Sequence, residues 1–274
     1  MWRLFVLLLV GSATAGPAER DFTIINKPKV VGGVEAKPNS WPWQISLQYT
    51  YVNAGGWGVV CGGTLITPNW VMTAAHCVDF DDGSIYRVAL GEHNLFVYEG
   101  TEFYRDVVRI IIHEEWTGSL AKGFDIALLR LAQPVYDSAT VQAAALPPAG
   151  AILPSGFPCY ITGWGLTEDR GDPSPVLLQA LLPVVDIPTC ATNEYWDYYA
   201  QENMICAGGD GMLAGCNGDS GGPLSCQVNG VWQVHGIVSF GPYICNIYKK
   251  PTVFTRVSDY ISWMKNTMNL NGGA

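Results

Sequence analysis

Short runs of β-branched, aromatic and aliphatic residues recur along this chain of 274 residues, among them 44–49, 59–66, 107–112, 126–131, 160–163 and 231–240. Glycine, proline, asparagine and aspartate separate them, and apolar runs of this length between turn formers read as strands. The pattern predicts an all-β chain, a sandwich or a pair of barrels, which periodicity alone does not distinguish. A Pro- and Ala-rich stretch at 132–150 breaks the pattern near the middle and reads as a connector. Near the end Ile261, Met264 and Met268 recur at helical spacing, with Ser258 placed to cap that helix.

Residues 2–10 are apolar except for Arg3, and Ala13-Thr14-Ala15 supplies a small-x-small cleavage pattern. The run falls short of the roughly 20 apolar residues a membrane span needs. The expectation is a signal peptide over 1–15, a secreted mature protein and no membrane partner. Eight cysteines in a secreted chain imply disulfides, and none has the C-x-x-C spacing of a zinc site. They allow about a hundred pairings, and the spacing does not choose among them. A net charge of −9 argues against nucleic acid as a partner. Charged residues make up only 14% and form no long acidic run, so the acidity reads as solubility. With no long amphipathic seam, the expected state is a monomer.

Three motifs carry the chemistry. Gly218-Asp219-Ser220-Gly221-Gly222-Pro223 flanks a serine with glycines, whose backbone N–H groups can approach a reacting carbonyl. Upstream lie Thr73-Ala74-Ala75-His76-Cys77 and Phe124-Asp125-Ile126-Ala127-Leu128-Leu129. Singly, His76 reads as a core histidine, Asp125 as a strand-end cap and Ser220 as a turn serine. Together they offer base, orienting acid and nucleophile. The serine motif also satisfies G-x-S-x-G, the nucleophile elbow of α/β-hydrolases, whose triad runs Ser, acid, His. After Ser220 the sole histidine is His235, with no acid between them, so that order cannot be built.

With these motifs, and with Val30-Val31-Gly32-Gly33 and Ser40-Trp41-Pro42-Trp43-Gln44, the chain resembles the chymotrypsin-like serine proteases, nearest the pancreatic elastases of the second or C type. The resemblance runs from Val30 to Met268 and implies two six-stranded antiparallel barrels with a C-terminal helix. It implies an activation propeptide over 16–29, cut after Lys29 by a trypsin-like protease, and a peptidase domain over 30–274. The new Val30 ammonium would pair with Asp219. Ser220 would be the nucleophile, His76 the base and Asp125 its orienting acid, with Gly218 and Ser220 amides as oxyanion hole and Ser239 supporting Asp125. The implied disulfides are Cys61–Cys77, Cys159–Cys226, Cys190–Cys206 and Cys216–Cys245, the last bracing the substrate pocket. Where many relatives tether the propeptide by a cysteine pair, residues 16–29 hold no cysteine and Ala145 stands at the partner position, so the propeptide is expected to leave.

The resemblance also places Ala214 at the pocket floor and Ser239, Phe240, Gly241 and Thr252 on its walls. An uncharged pocket disfavours Lys or Arg before the cut bond, because a buried cation would lack its carboxylate. Gly241 replaces a bulkier wall residue, so Leu, Met, Phe or Tyr are expected, with Ala or Val the alternative should Thr252 limit the depth. Ser239 and Gly241 would pair with an extended substrate by strand addition. Residues 91–102 resemble the family's calcium loop, offering Glu92, Glu99 and Glu102 carboxylates and Asn94 and Val97 carbonyls, a hard-oxygen set. A solvated acidic loop is its rival. His93, alone beside it, reads as an ordinary surface residue rather than a zinc ligand. No cofactor is expected for catalysis; the expected partners are peptides, protein substrates and protein protease inhibitors. A catalytically silent binding homologue is the rival function, disfavoured because the three residues and the activation junction are all present.

Overall fold

The computed structural model describes residues 32–52, 55–80, 82–168 and 171–273. The expected signal and activation segments, with Lys29 and Val30, lie outside them. Thirteen strands are formed among the described residues. A two-residue strand, β1 (Val34–Glu35), precedes β2 (Gln44–Thr50), β3 (Gly58–Thr67), β4 (Trp70–Thr73), β5 (Ile85–Leu90), β6 (Phe103–Ile112) and β7 (Ala127–Leu131). The second half contributes β8 (Pro158–Gly163), β9 (Leu178–Val185), β10 (Met204–Ala207), β11 (Pro223–Val228), β12 (Val231–Phe240) and β13 (Thr252–Arg256). The first barrel closes in the order β2-β3-β4-β7-β6-β5. In the second, β8 pairs both β9 and β11, closing β8-β9-β10-β13-β12-β11, and β1 joins β9. All these pairings are antiparallel, so the two expected six-stranded barrels are present.

Side-chain alternation explains the clearest strands. Along β9, Leu178, Ala180, Leu182 and Val184 point into the core while Leu181 and Pro183 face outward. Burying each such Leu contributes about 1.5–3 kcal/mol. By contrast, β4 and β10 have four residues each, all buried, and so carry no alternation to read. The connector at 132–150 has no strand of its own. It donates from Gln142 and Ala144 to Pro42 and Leu65 of the first half and accepts at Ala145 from Val234 of the second.

The four disulfides are the implied pairs, Cys61–Cys77, Cys159–Cys226, Cys190–Cys206 and Cys216–Cys245. The C-terminal helix spans Ile261–Leu270, but Ser258 does not cap it. Ser258 lies in a 3₁₀ turn (Val257–Asp259) that runs into the helix, and its hydroxyl donates 2.7 Å to the Ala151 carbonyl. Tyr260 is the residue that enters the helix. No helix among the described residues is long and apolar enough to cross a membrane.

Buried polar bonds join the barrels. The Trp43 indole donates 3.1 Å to the Ser225 hydroxyl, and Thr162 donates 2.7 Å to the Gln44 side-chain oxygen. Thr162→Val keeps the shape but leaves that buried oxygen without its donor. A loss of about 1–3 kcal/mol in urea unfolding is expected.

Candidate active site

His76 sits in a 3₁₀ turn (Ala75–Cys77) just after β4, and Asp125 lies two residues before the start of β7. Because β4 and β7 are paired from Thr73↔Ala127 onward, their neighbouring ends bring the two residues together. Asp125 Oδ2 lies 2.7 Å from His76 Nδ1, and Oδ1 accepts from the His76 amide at 2.9 Å. Ser239, from β12 of the other barrel, donates to Oδ2 at 2.6 Å, and Thr255 of β13 donates to the Asp125 carbonyl at 2.8 Å. Asp125 has no exposure to solvent, so this ring of donors is what makes its burial tolerable.

The chain reaches Asp125 through Phe124 at φ +58°, a left-handed conformation uncommon for a bulky residue. The Phe124 ring stacks on His113 at 5.2 Å, which packs edge-on against Tyr260. This packing holds the unusual backbone that turns Asp125 inward.

Ser220 lies on a turn locked to both barrels. Its carbonyl accepts from Gly62 of β3 at 2.8 Å, and Gly221 donates to Val238 of β12 at 2.9 Å. Gly218 and Gly221 have φ of +97° and +75°. A Cβ on Gly221 would meet the Thr73 hydroxyl at 2.3 Å and the Gly62 carbonyl at 2.7 Å. The glycines are therefore demanded by conformation and by close backbone approach. Among the described residues, the Gly218 and Ser220 amides have no acceptor. His76 and Ser220 line one cavity of about 410 Å³, although no hydrogen bond joins them among the described residues. Such bonds are often long before substrate arrives.

The same cavity is lined by Gly215, Cys216, Ser239, Phe240, Gly241, Cys245 and Thr252, so the Cys216–Cys245 bond braces its wall. Among the described residues, no Asp, Glu, Lys or Arg lines it. Ala214, expected as its floor, is buried and does not line it. Gly215 and Thr252 do, and the Gly215 amide donates 3.0 Å to the Thr252 hydroxyl. A Cβ on Gly241 would have only the Gly215 carbonyl within reach, at 4.0 Å. Gly241 thus leaves its side of the cavity open, while a Cβ on Gly215 would turn away from it into Ile161 and Thr252, at 2.6 and 3.2 Å. A neighbouring cavity of about 690 Å³ shares Leu120, Phe240 and Gly241 and lengthens the cleft.

Asp219 is almost fully buried and accepts from Gly165 and Cys216 amides, both at 2.9 Å. A Cβ on Gly163 or Gly165 would fall 2.1 Å and 2.6 Å from its carboxyl. These two glycines hollow out its socket. Sequence reasoning missed them, although the Gly163-Trp164-Gly165 pair at the end of a strand was the available signal. Val30, the expected partner, lies outside the described residues.

In the acidic loop, Glu102 accepts from Glu99 and Gly100 amides at 2.6 and 2.8 Å, and Glu99 accepts from the Asn94 amide at 3.1 Å. The Asn94 carbonyl receives the Val97 amide at 3.1 Å. Glu92 is buried, and its Oε1 has no partner among the described residues. Burial, with the negative charges of Glu102 and Glu99, pushes its carboxyl up to about 7. An orphaned buried oxygen with two more carboxylates in the same loop offers the oxygen chemistry of a hard cation's ligands, although the three carboxylates are not gathered into one cluster. His93 is not a surface residue. It is 3% exposed, with Nε2 3.0 Å from Glu35 and its carbonyl holding the Trp164 indole at 2.9 Å, so the loop's base is packed against β1 and β8. The one cluster of three potential metal-ligating side chains among the described residues is Cys61, His76 and Cys77, and its cysteines are joined to each other.

Burial raises the Asp219 carboxyl to about 6 from an ordinary 3.8, against the opposing pull of its two backbone donors. The folded chain therefore disfavours the charge, and stability is expected to fall as pH rises from about 4 to about 6 and to stay low above it. Roughly 3 kcal/mol is involved. Asp219→Asn should remove this window, checked by urea unfolding of the intact chain against pH.

Residues 30–264 match the protein family described as Trypsin. The chain is 51% identical to chymotrypsin-like elastase family member 1 of Canis lupus familiaris, over 97% of this chain and 100% of that protein. It is 50% identical to the Homo sapiens protein of the same name, over 97% and 100%. It is 52% identical to chymotrypsin-C of Bos taurus, over 88% of this chain and 90% of that one.

Proposed function

The chain belongs to the trypsin family of serine endopeptidases, and on that premise we propose that it is secreted as a precursor, is activated by cleavage between Lys29 and Val30, and hydrolyses peptide bonds after Leu, Met, Phe or Tyr. One observation carries the reading of its site: a buried Asp125 bonded to His76, on a cavity that also presents Ser220.

In the proposed reaction the Ser220 hydroxyl oxygen attacks the peptide carbonyl while His76 Nε2 takes its proton. Asp125 holds the Nδ1–H tautomer and stabilises the imidazolium. The carbonyl electron pair moves onto oxygen, where the Gly218 and Ser220 amides receive it. As the tetrahedral intermediate collapses, the C–N bond breaks and His76 returns the proton to the leaving amine. Water, deprotonated by His76, then releases the acyl group by the same steps in reverse. The acyl portion would lie along Ser239–Gly241 by strand addition.

Specificity follows from the cavity beside Gly241, open and without charge, which suits large apolar side chains. Thr252 in its wall supports the alternative, a shallower pocket preferring Ala or Val. For activation, the Val30 ammonium would enter the Asp219 socket and neutralise a buried carboxylate, drawing the adjoining amides of Gly218 and Ser220 into place. A trypsin-like protease would make the cut. The active species would be a monomer, open to protein protease inhibitors.

Treating the purified precursor with trypsin should yield a chain beginning at Val30 that cleaves peptides after Leu or Phe faster than after Ala, and leaves those with Lys uncut. Ser220→Ala should abolish turnover, and Gly241→Val should shift preference toward Ala. Turnover unchanged in Ser220→Ala removes that residue from the mechanism. A Val30 terminus without turnover would favour a silent binding homologue.

We further propose a structural calcium held by Glu92, Glu99, Glu102 and the Asn94 and Val97 carbonyls, supplying positive charge that the loop lacks. The raised Glu92 carboxyl makes stability depend on pH. In chelator, stability should fall as pH rises from about 4.5 to about 7, because only the unfolded chain ionises freely there. Calcium should restore it at pH 8, and Glu92→Gln should erase both effects in melting curves.

A further inference from the structure

His113 is a buried histidine that the proposed chemistry does not use, yet it grips the chain on both sides of Asp125. It follows β6 directly and is 7% exposed. Its amide donates 3.1 Å to the Ile126 carbonyl, and its ring stacks on Phe124 with centroids 5.2 Å apart. Between those two neighbours Asp125 sits at the tip of a tight turn, closed by the Ile126 amide donating 2.8 Å to the Phe124 carbonyl.

That turn is held by its surroundings. Gly123 and Phe124 have φ of +74° and +58° in succession. Glycine adopts this region freely, but a residue with a Cβ stays there only where packing imposes it. Gly123 lies against Asn203, whose side-chain atoms a Cβ would meet at 2.5 Å and whose Nδ2 donates 3.0 Å to the Tyr260 hydroxyl. The His113 ring on Phe124 is itself boxed in, by Tyr260 edge-on at 5.2 Å and by Trp263 of the C-terminal helix at 4.8 Å. The Trp263 indole in turn donates 2.8 Å to Glu114, next to His113 in the chain. With the ring gone, Phe124 could relax toward a right-handed conformation and swing Asp125 Oδ2 away from His76 Nδ1.

The box suits an uncharged ring. The Glu115 amide donates 3.2 Å to His113 Nδ1, so the neutral ring carries its hydrogen on Nε2, and a further proton on Nδ1 would face that N–H. Glu114 and Glu115 of its own turn favour protonation, but burial outweighs them and holds the ring below the usual histidine range. From the C-terminal side Tyr260 is kept neutral, its hydroxyl pushed up by burial, and Asp259 beside it is paired with Arg256. On the Phe124 segment, the Asp125 carboxylate is committed to His76 and Ser239. A protonated ring must leave its aromatic box to be hydrated.

We propose that His113 is a positioning residue for the hydrolytic reaction: its uncharged ring clamps Phe124 in the left-handed conformation that aims Asp125 at His76, and protonation releases the clamp. The inference rests on the protease reading above and adds to it a second proton-sensitive group, outside the substrate cavity.

Trypsin-activated parent, His113→Phe and His113→Ala are compared on one Leu peptide from about pH 8 to about pH 4, with circular dichroism at each pH to confirm the fold. In the parent, log(kcat/KM) should fall with a slope of one where His76 takes its proton and steepen toward two at lower pH, as His113 takes another. His113→Phe keeps a stacking ring that cannot be protonated, so the steepening should disappear. At the high-pH end His113→Ala should lose about tenfold or more in kcat with KM little changed, and His113→Phe should recover most of that loss. Steepening that is absent from the parent or persists in His113→Phe overturns the proposal, as does a His113→Ala variant with the parent's kcat. Should His113→Ala fail to fold, the pH comparison of parent and His113→Phe decides. Absence of turnover in the parent overturns the protease reading as well.

Discussion

A carboxylate sealed from water lies at the seam between two barrels, and neither barrel alone can satisfy it. Asp125 takes an amide and a ring nitrogen from His76 of the first barrel and a hydroxyl from Ser239 of the second, while Thr255 holds its carbonyl. Losing one partner of a buried charge costs several kcal/mol, so the barrels are not free to slide against each other. The remaining seam bonds follow the same geometry: Trp43 to Ser225, Thr162 to Gln44, and Gly62 to the Ser220 carbonyl. With the seam set, the distance between the His76 turn and the Ser220 turn is set as well. The cleft is thus a by-product of keeping one anion dry and bonded.

Asp219, the residue directly before Ser220, presents the opposite arrangement. It is as deeply buried, in a socket cleared by Gly163 and Gly165, yet its carboxyl receives only two backbone donors among the described residues and is raised to about 6. A charge left so short of partners makes the surrounding turn sensitive to any new cation. That imbalance is the physical ground for the proposed activation, in which an ammonium created by cleavage completes the set. The acidic loop at Glu92 repeats the design with a metal ion as the proposed missing partner.

Much of this was legible in the chain because each chemical residue sits inside its own local signature. His76 lies between small residues and a cysteine, Asp125 leads an apolar strand, and Ser220 is set among glycines, so their joint occurrence was informative before any contact was known. Strands with room for alternation were legible for the same reason. β4 and β10 were not, since four residues buried on both faces show no period. Ser258 resembled a helix cap because local pattern does not reveal that Ala151, 107 positions away, competes for its hydroxyl. His93 looked like a surface residue because nothing nearby in the chain shows that Glu35 and Trp164 fold over it.

What the chain determined by itself was the strand content, the chain order of His76, Asp125 and Ser220 and the need for glycine around Ser220, all consequences of short-range sterics and side-chain chemistry. The tertiary structure decided which distant atoms share a space: Gly215 and not Ala214 lining the pocket beside the expected Thr252, Gly163 and Gly165 yielding room to Asp219, and an aromatic cavity forming where β2, β3 and β5 meet the turn after Cys77. Those outcomes depend on barrel closure and register, which bring together residues scores of positions apart, and no local pattern encodes the distances that result.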